Sequence, residues 1–235
     1  MAEIIVALDV DDAEAALDLV DRVGERVRWY KVGSPLFTRG GHALITALAE
    51  REKRVFLDLK FHDIPNTVAS AVRAARELGV ELLTVHAAGG SAMLRAAVEA
   101  AGADGPAVLG VTILTSFTVH DIEETWAKEL RSLRDEVGRL AQLADDAGLA
   151  GVVASPLEAE LLKRRHGAGF LVVTPGIRMP DAVPDDQART ATPSAAARAG
   201  ADYLVVGRPV IRAADPVAAV AALQADLDEL AEAVE

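Results

Sequence analysis

The sequence contains no cysteine, few aromatic residues and no excess of basic charge. Without cysteine, the chain cannot form disulfides, thiolate metal sites or a cysteine nucleophile. Its formal net charge of −12 argues against a nucleic-acid-binding role, since such proteins carry a basic surface. No stretch reaches the roughly 18 uninterrupted apolar residues of a membrane helix. The opening segment MAEIIVALDV lacks a basic leader. We therefore expect a cytoplasmic protein that binds neither nucleic acid nor membrane.

Hydrophobic residues make up 51% of the 235 residues, enough to bury a large core. Short β-branched runs alternate with helical runs. Each predicted strand is apolar on both faces and is followed by a helical run, which is typical of a parallel sheet covered by helices. The predicted strands cover 4–10, 29–33, 54–60, 82–86, 107–114, 151–155, 170–176 and 203–207. Eight such units close a barrel, so we predict a single-domain α/β protein, a (β/α)8 TIM barrel over residues 1–235. A doubly wound open sheet is the alternative, but it usually needs fewer strands.

The longest irregular segments are 115–129 and 177–192, of which the second shows no apolar periodicity. We predict both as irregular loops, which at this length in a compact domain are usually functional. The second follows the seventh predicted strand. Loops after strands seven and eight frequently bind phosphate in such barrels.

Charged residues lie at the ends of the first three predicted strands, and two of the five lysines in the chain are among them. Asp9 ends strand one, Lys31 lies in strand two, and Asp58 and Lys60 end strand three. Side chains two residues apart in a strand share one face, so Asp58 and Lys60 should point the same way. Active sites of such barrels lie at the carboxyl ends of the strands, where these charges should converge. The alternative is a structural ring of ion pairs, which its desolvation cost disfavours.

The end of the last predicted strand has the character of a phosphate site. Gly207 lets backbone N–H groups approach an anion, and Arg208 adds a bidentate donor. Arg178, after strand seven, would help to attract an anionic substrate. We expect no metal, because none of the five histidines pairs with another at ligand spacing. In addition, Lys31 and Lys60 would oppose a cation.

Asp63 follows strand three and allows two interpretations. It can cap the next helix, with Pro65 in the first turn. It can instead belong to a site. The nearby His62 is interpreted as structural, and His86, at the end of strand four, as a satisfied histidine rather than a catalytic base.

The decapeptide DLKFHDIPNT at 58–67 resembles the signature of the orotidine 5′-phosphate decarboxylase family. The resemblance extends from about residue 4 to residue 215. Further matching segments occur in the family's order at 7–9, 31–33, 85–90, 114–116, 174–178, 186–187 and 206–208. The D-x-K-x-x-D core is shared with related sugar-phosphate decarboxylases and synthases, whereas the HDIPNT extension together with TPGIR is more specific.

The resemblance implies an enzyme that converts orotidine 5′-phosphate to UMP and carbon dioxide, the last step of de novo UMP synthesis, without metal or organic cofactor. It implies a homodimer with shared active sites. Each site would hold a catalytic set of Lys31, Asp58, Lys60 and Asp63, with Asp63 supplied by the partner subunit and Lys60 as the proton donor. The implied substrate contacts come from this set and from Asp9, Ile64, Thr67, Thr115, Arg178, Gln187, Gly207 and Arg208.

The same resemblance assigns parts of the substrate to particular residues. Gln187 and Arg208 would hold the phosphate, Asp9 and Thr67 the ribose hydroxyls, and Thr115 or its neighbours the pyrimidine edge. Two alternatives stay open. A magnesium-dependent sugar-phosphate decarboxylase or synthase of the same superfamily would have a glutamate where this chain has Lys31. A non-catalytic nucleotide- or phosphate-binding barrel would not need the intact Lys-Asp-Lys-Asp set.

Overall fold

The computed structural model describes residues 2–179 and 189–232 of the chain. Its strands are β1 Glu3–Ala7, β2 Trp29–Gly33, β3 Arg54–Phe61, β4 Leu82–His86, β5 Ala107–Val111, β6 Gly151–Val153, β7 Leu171–Thr174 and β8 Tyr203–Val206. They follow one another in chain order around a closed parallel barrel, with β8 paired to β1. The prediction of eight strands and of a (β/α)8 barrel is confirmed.

Helices surround the barrel. Within the described residues they are α1 Ala13–Val23, α2 Ser34–Ala49, α3 Pro65–Glu77, α4 Gly90–Ala101, α5 Val119–Trp126, α6 Leu133–Asp146, α7 Pro156–His166, α8 Pro193–Arg198, α9 Arg208–Ile211 and α10 Pro216–Glu232. Asp12, Ser132, Ser155 and Thr192 each cap a helix by accepting a hydrogen bond from an N–H of its first turn. Of the helices in the described ranges, none is long and apolar enough to cross a membrane.

Two apolar layers hold the strands in place, because alternate residues of a strand point to opposite faces. Val6 and Leu8 belong to the outer layer, which packs against the helices. The inner layer fills the barrel with Ile5, Ala7, Trp29, Phe56, Leu82, Leu109, Val173 and Val205. Asp9 continues the inward series of Ile5 and Ala7, which places its carboxylate at the carboxyl end of the barrel interior.

An aromatic plug closes the amino-terminal end of the barrel. The rings of Trp29 and Tyr203 meet edge to face, with their centroids 5.1 Å apart. Glu3 Oε2 accepts a hydrogen bond of 3.1 Å from Trp29 Nε1. The guanidinium carbon of Arg54 lies 5.0 Å from the centroid of the Trp29 ring. Aromatic side chains therefore occupy this end of the barrel, and Glu3 and Arg54 both contact Trp29.

The segment 115–129, predicted as irregular, contains helix α5, so that prediction was wrong. Thr118 and Asp121 form a reciprocal capping box: the Thr118 hydroxyl accepts from Asp121 N, and the Asp121 carboxylate accepts from Thr118 N at 2.7 Å. The segment 177–192 begins and ends in neighbouring positions, because Arg178 N donates to Ala191 O at 2.9 Å. Residues 180–188 lie outside the described part.

Candidate active site

A cavity of about 230 Å³ opens at the carboxyl end of the barrel, where the strand-end residues meet. Eight of the predicted site residues line it: Asp9, Lys31, Asp58, Lys60, Thr115, Arg178, Gly207 and Arg208. Seven of them lie in or shortly after five neighbouring strands, in the order β7, β8, β1, β2 and β3. The eighth, Thr115, follows β5. Val111 and Ile113, also at the end of β5, line the cavity with Val153 and Ala154 from β6. One side of the cavity is therefore charged and the other largely apolar.

Four side chains of alternating charge form a chain across the ends of β1, β2 and β3, which we call the charged array: Asp9, Lys31, Asp58 and Lys60. Lys31 Nζ lies 3.1 Å from Asp9 Oδ1 and 3.7 Å from Asp58 Oδ2. Lys60 Nζ lies 2.8 Å from each oxygen of Asp58. The predicted convergence of these four residues is confirmed.

The members of the charged array differ in how far they reach toward solvent. The side chains of Lys31 and Asp58 are each 12% exposed, whereas that of Lys60 is 36% exposed. Burial of Asp58 opposes its ionisation, but the ammonium groups of Lys31 and Lys60 outweigh that effect and hold the pKa of Asp58 below its ordinary value. Asp58 is therefore a carboxylate that stays ionised, and Lys60 is the ammonium that it presents to the cavity.

A distortion of β3 places Lys60. Its backbone has φ = 51°, in the left-handed region that costs about 1–2 kcal/mol for a residue with a side chain. The register with β4 shifts between Leu57 and Phe61, which marks a bulge. Regular strand alternation therefore does not explain why Asp58 and Lys60 point the same way. The bulge does, and nothing in the sequence of β3 signals it.

Two glycines keep space open beside the array. A Cβ atom at Gly33 would lie 3.3 Å from Lys31 Nζ, and one at Gly207 would lie 3.3 Å from Asp9 Oδ2. Contacts this short force the neighbouring group to move. A side chain at either position would therefore require the charged group beside it to shift by a few tenths of an ångström, a constraint that the interpretation of Gly207 as a phosphate-site glycine did not anticipate.

Three predicted site residues lie outside this cavity. Asp63, Ile64 and Thr67 follow β3 and are exposed, with Ile64 at 67%. The helix-cap interpretation of Asp63 was wrong, because α3 begins at Pro65 with Ile64 in the cap position and no side-chain cap. Asp63 Oδ1 instead accepts from Ile64 N at 2.6 Å. A fourth predicted residue, Gln187, lies outside the described residues.

Sequence reasoning missed two polar residues that support the site, the buried Thr84 and the largely buried Arg189. The hydroxyl of Thr84, in β4, donates to Asp58 Oδ1 at 3.0 Å. Arg189 pairs with Glu158 of α7 at 2.9 Å and also donates to Leu114 O at 3.3 Å. The second contact ties the segment after β7 to the segment after β5. A polar residue inside an apolar strand could have drawn attention to Thr84, whereas Arg189 carries no comparable signal.

His62 and His86 stand side by side behind Lys60, with ring centroids 5.4 Å apart. Burial, with the neighbouring His62 and Lys60, lowers the pKa of His86. Neither ring lines the cavity. Among residues 2–179 and 189–232, no group of three or more histidine, aspartate or glutamate side chains could hold a metal ion.

Comparison with known proteins agrees with this geometry. The sequence model of the orotidine 5′-phosphate decarboxylase / HUMPS family matches residues 2–223. An orotidine 5′-phosphate decarboxylase from Legionella pneumophila is 46% identical over 228 residues, covering 96% of this chain and 99% of its own. That of Chromobacterium violaceum is 49% identical over 226 residues, with 95% and 91% covered.

The crystal structure of orotidine 5′-phosphate decarboxylase from Lactobacillus acidophilus superposes on this barrel with a TM-score of 0.85. The two sequences are 37% identical, and the match covers 97% of this chain and 100% of that one. Fold, sequence and the contents of the barrel mouth therefore agree, and the chain belongs to the orotidine 5′-phosphate decarboxylase / HUMPS family.

Proposed function

We propose that this protein decarboxylates orotidine 5′-phosphate to UMP and carbon dioxide, in the last step of de novo UMP synthesis, and that its barrel acts as one catalytic domain. The observation that best supports this function is the position of the Lys60 ammonium, which both oxygens of Asp58 hold and which is open to the cavity. The substrate is inferred from the names of the relatives, and the charged array provides the groups that would catalyse the reaction.

The chemistry requires stabilisation of a carbanion. The bond between the ring carbon and its carboxylate breaks, carbon dioxide leaves, and the electron pair stays on a ring carbon that delocalises it poorly. The Lys60 ammonium stabilises this charge and then donates a proton to the same carbon, which leaves a neutral amine that takes a proton from solvent. Asp58 confines Lys60, and Lys31 faces Asp58 in turn, so little reorganisation is needed when the charge develops.

The two sides of the cavity match the two parts of a nucleotide. Arg178, Arg208 and Gly207 line the part under β7 and β8, where a phosphate would be neutralised. Gln187 is proposed to join them. Thr115 lies beside the apolar residues of β5 and β6, which suit a pyrimidine ring. Binding of the phosphate, remote from the reacting carbon, can then contribute to the rate of the chemical step.

A second subunit is proposed to complete each site. Asp63, Ile64 and Thr67 lie on the surface and do not line the cavity of their own chain. In a twofold dimer, the same exposed turn of each subunit can enter the neighbour's cavity. There Asp63 would extend the charged array beside Lys60, and Thr67 would bind the ribose hydroxyls together with Asp9 of the other chain. The homodimer and the cytoplasmic location stay predictions.

The proposed function is tested by following the loss of orotidine 5′-phosphate absorbance with purified protein, with and without EDTA. We expect turnover to UMP that EDTA does not change. Loss of activity with EDTA would favour the magnesium-dependent sugar-phosphate chemistry of the wider family, although Lys31 Nζ stands where a cation would be repelled. Tight binding of UMP without any turnover would favour a non-catalytic barrel.

A further inference from the structure

Thr84 lies beneath the Asp58–Lys60 pair and contacts both residues. It is fully buried in the middle of β4. Its hydroxyl accepts a hydrogen bond of 2.9 Å from Lys60 N and donates one of 3.0 Å to Asp58 Oδ1. A hydroxyl has one proton to donate and lone pairs to accept with, so these two contacts use it in both roles at once.

The bulge in β3 explains why this hydroxyl matters. Leu57 pairs with Leu83 before the bulge, and Phe61 pairs with Val85 after it. Residues 58–60 of β3 therefore stand opposite Thr84 alone. Within such a bulge the regular ladder cannot serve every backbone group. The N–H of Lys60, in its left-handed conformation, is bound by the side chain of Thr84 rather than by the backbone of β4.

The same hydroxyl fixes the orientation of the Asp58 carboxylate. Oδ1 of Asp58 accepts hydrogen bonds from Lys60 Nζ and from the Thr84 hydroxyl. Oδ2 accepts a hydrogen bond from Lys60 Nζ and lies 3.7 Å from Lys31 Nζ. The carboxylate is therefore held on three sides. Without the hydroxyl, it could rotate toward Lys31, and the ammonium of Lys60 would follow it.

We propose that Thr84 is a positioning residue of the active site, whose one hydroxyl holds both the backbone of Lys60 and the carboxylate that aims its ammonium. The inference rests on the proposed function of Lys60. Thr84 does not line the cavity, so it acts through Asp58 and Lys60 and not on the substrate. Its loss should therefore reduce kcat while KM stays near the wild-type value.

Replacement of the hydroxyl by a methyl group tests this inference. Thr84→Val keeps the shape and the β-branched character of the side chain. We expect kcat for orotidine 5′-phosphate to fall by about 10- to 100-fold, the range for a misplaced catalytic group. Thr84→Ser, which keeps the hydroxyl and removes a methyl group, should restore most of the lost kcat. A purely structural role would instead make the serine variant, with its small cavity, at least as defective.

Thr112 offers a matched control. Like Thr84 it is buried, although it lies directly after β5, and its hydroxyl donates to Val153 O at 2.9 Å, a backbone carbonyl outside the charged array. Thr112→Val removes a hydrogen bond of the same kind and should lower thermal stability without lowering kcat. A folded Thr84→Val enzyme with the kcat of Thr112→Val would overturn the inference.

A second pair of variants covers the case in which Thr84→Val does not fold. Thr84→Ser should then keep kcat near wild type and Thr84→Ala should lose it, whereas equal values for the two would overturn the inference. The wild-type rate separates this question from the function itself. If wild-type protein does not decarboxylate orotidine 5′-phosphate, both proposals fail. If it does and the hydroxyl has no effect, only the assignment of Thr84 fails.

Discussion

Lys53 and Lys60 stand at opposite ends of β3, and their surroundings differ. The side chain of Lys53 is 5% exposed, and its ammonium donates to Gly24 O at 3.0 Å and to Glu25 Oε1 at 3.3 Å. Lys60 also contacts a carboxylate, but its ammonium faces an open cavity. Lys53 ties the segment that follows α1 to the start of β3, whereas Lys60 is held by Asp58 and left accessible to a ligand.

The same contrast extends to the whole barrel. The amino-terminal end is filled by Trp29 and Tyr203, whose polar neighbours Glu3 and Arg54 complete the packing. The carboxyl end gathers Asp9, Lys31, Asp58 and Lys60 around a cavity. Burying these charges costs stability that a filled end would not lose. We therefore expect substitutions at the first end to change stability and those at the second to change turnover.

The largest effect is expected for Lys60→Ala. General acid catalysis contributes about 10²–10⁴ and one electrostatic donor about 10²–10³, so turnover should fall by about 10⁴-fold or more. The melting temperature should fall only modestly, because the variant removes one partner of the Asp58 carboxylate, but Lys60 is partly exposed and Lys31 still faces Asp58. Absorbance assays and thermal unfolding measure the two quantities.

Lys53→Ala is the control at the other end of the same strand. It should keep wild-type turnover per folded molecule and lose about 1–3 kcal/mol of unfolding free energy, the cost of lost hydrogen bonds to a charged group. A Lys60→Ala enzyme that retains more than about a tenth of wild-type turnover would remove Lys60 from the mechanism.

Trp29→Ala should cause the largest loss of stability. Truncation of a buried tryptophan costs about 3–5 kcal/mol, because the cavity it leaves is not filled. Turnover per folded molecule should fall far less than stability, since Trp29 does not line the cavity, although it lies two residues before Lys31 on the same face of β2. Urea unfolding followed by circular dichroism measures the first quantity. Trp126→Ala, at a position 37% exposed on α5, should cost clearly less. Equal losses of unfolding free energy for the two variants would show that the packing of Trp29 in the barrel adds no extra stability.

Arg208→Ala should have a smaller effect that depends on the substrate. We expect kcat/KM for orotidine 5′-phosphate to fall by the equivalent of about 1.5–3 kcal/mol, the value of hydrogen bonds to a charged group. The rate with orotidine, which lacks the phosphate, should change little. Arg212→Ala, an exposed arginine one helical turn further on, should affect neither substrate. An equal loss with both substrates would show that Arg208 does not bind the phosphate.

The smallest effect concerns the pH dependence of stability. Burial, with His62 and Lys60 nearby, lowers the pKa of His86, so the folded protein disfavours its protonation and the unfolded chain does not. The stability that neutral His86 provides is full above its ordinary pKa of about 6.5 and declines as the pH falls below it. Urea unfolding at about pH 7.5 and about pH 5.5 should show a smaller decline for His86→Asn than for wild type. If the loss of stability at low pH were the same in His86→Asn and in wild type, other titrating groups would be responsible for it.

The order of strands and the position of the site could be predicted because both depend on local pattern. Apolar runs on two faces mark buried parallel strands, and a lysine at the end of such a run, as at Lys31 and Lys60, has few structural explanations. Helix α5 could also have been predicted, since Thr118 and Asp121 have the spacing of a capping box.

Other features depend on contacts between strands and could not be predicted. The bulge at Lys60 arises where β3 meets β4, and lysine carries no preference for a positive φ. For the same reason, the sequence did not indicate the contacts of Thr84. The role of Asp63 could not be predicted either, because a helix cap and an exposed functional residue can both be an aspartate at this position.

Subunit mixing tests most directly the central claim, that the charged array is a catalytic site completed by a second chain. Lys60→Ala and Asp63→Ala should each be nearly inactive alone. In a mixed dimer one site carries both defects and the other carries neither, so equal exchange should restore about a quarter of wild-type activity. No recovery, with exchange confirmed by a tagged subunit, would contradict the claim and leave Asp63 serving its own chain.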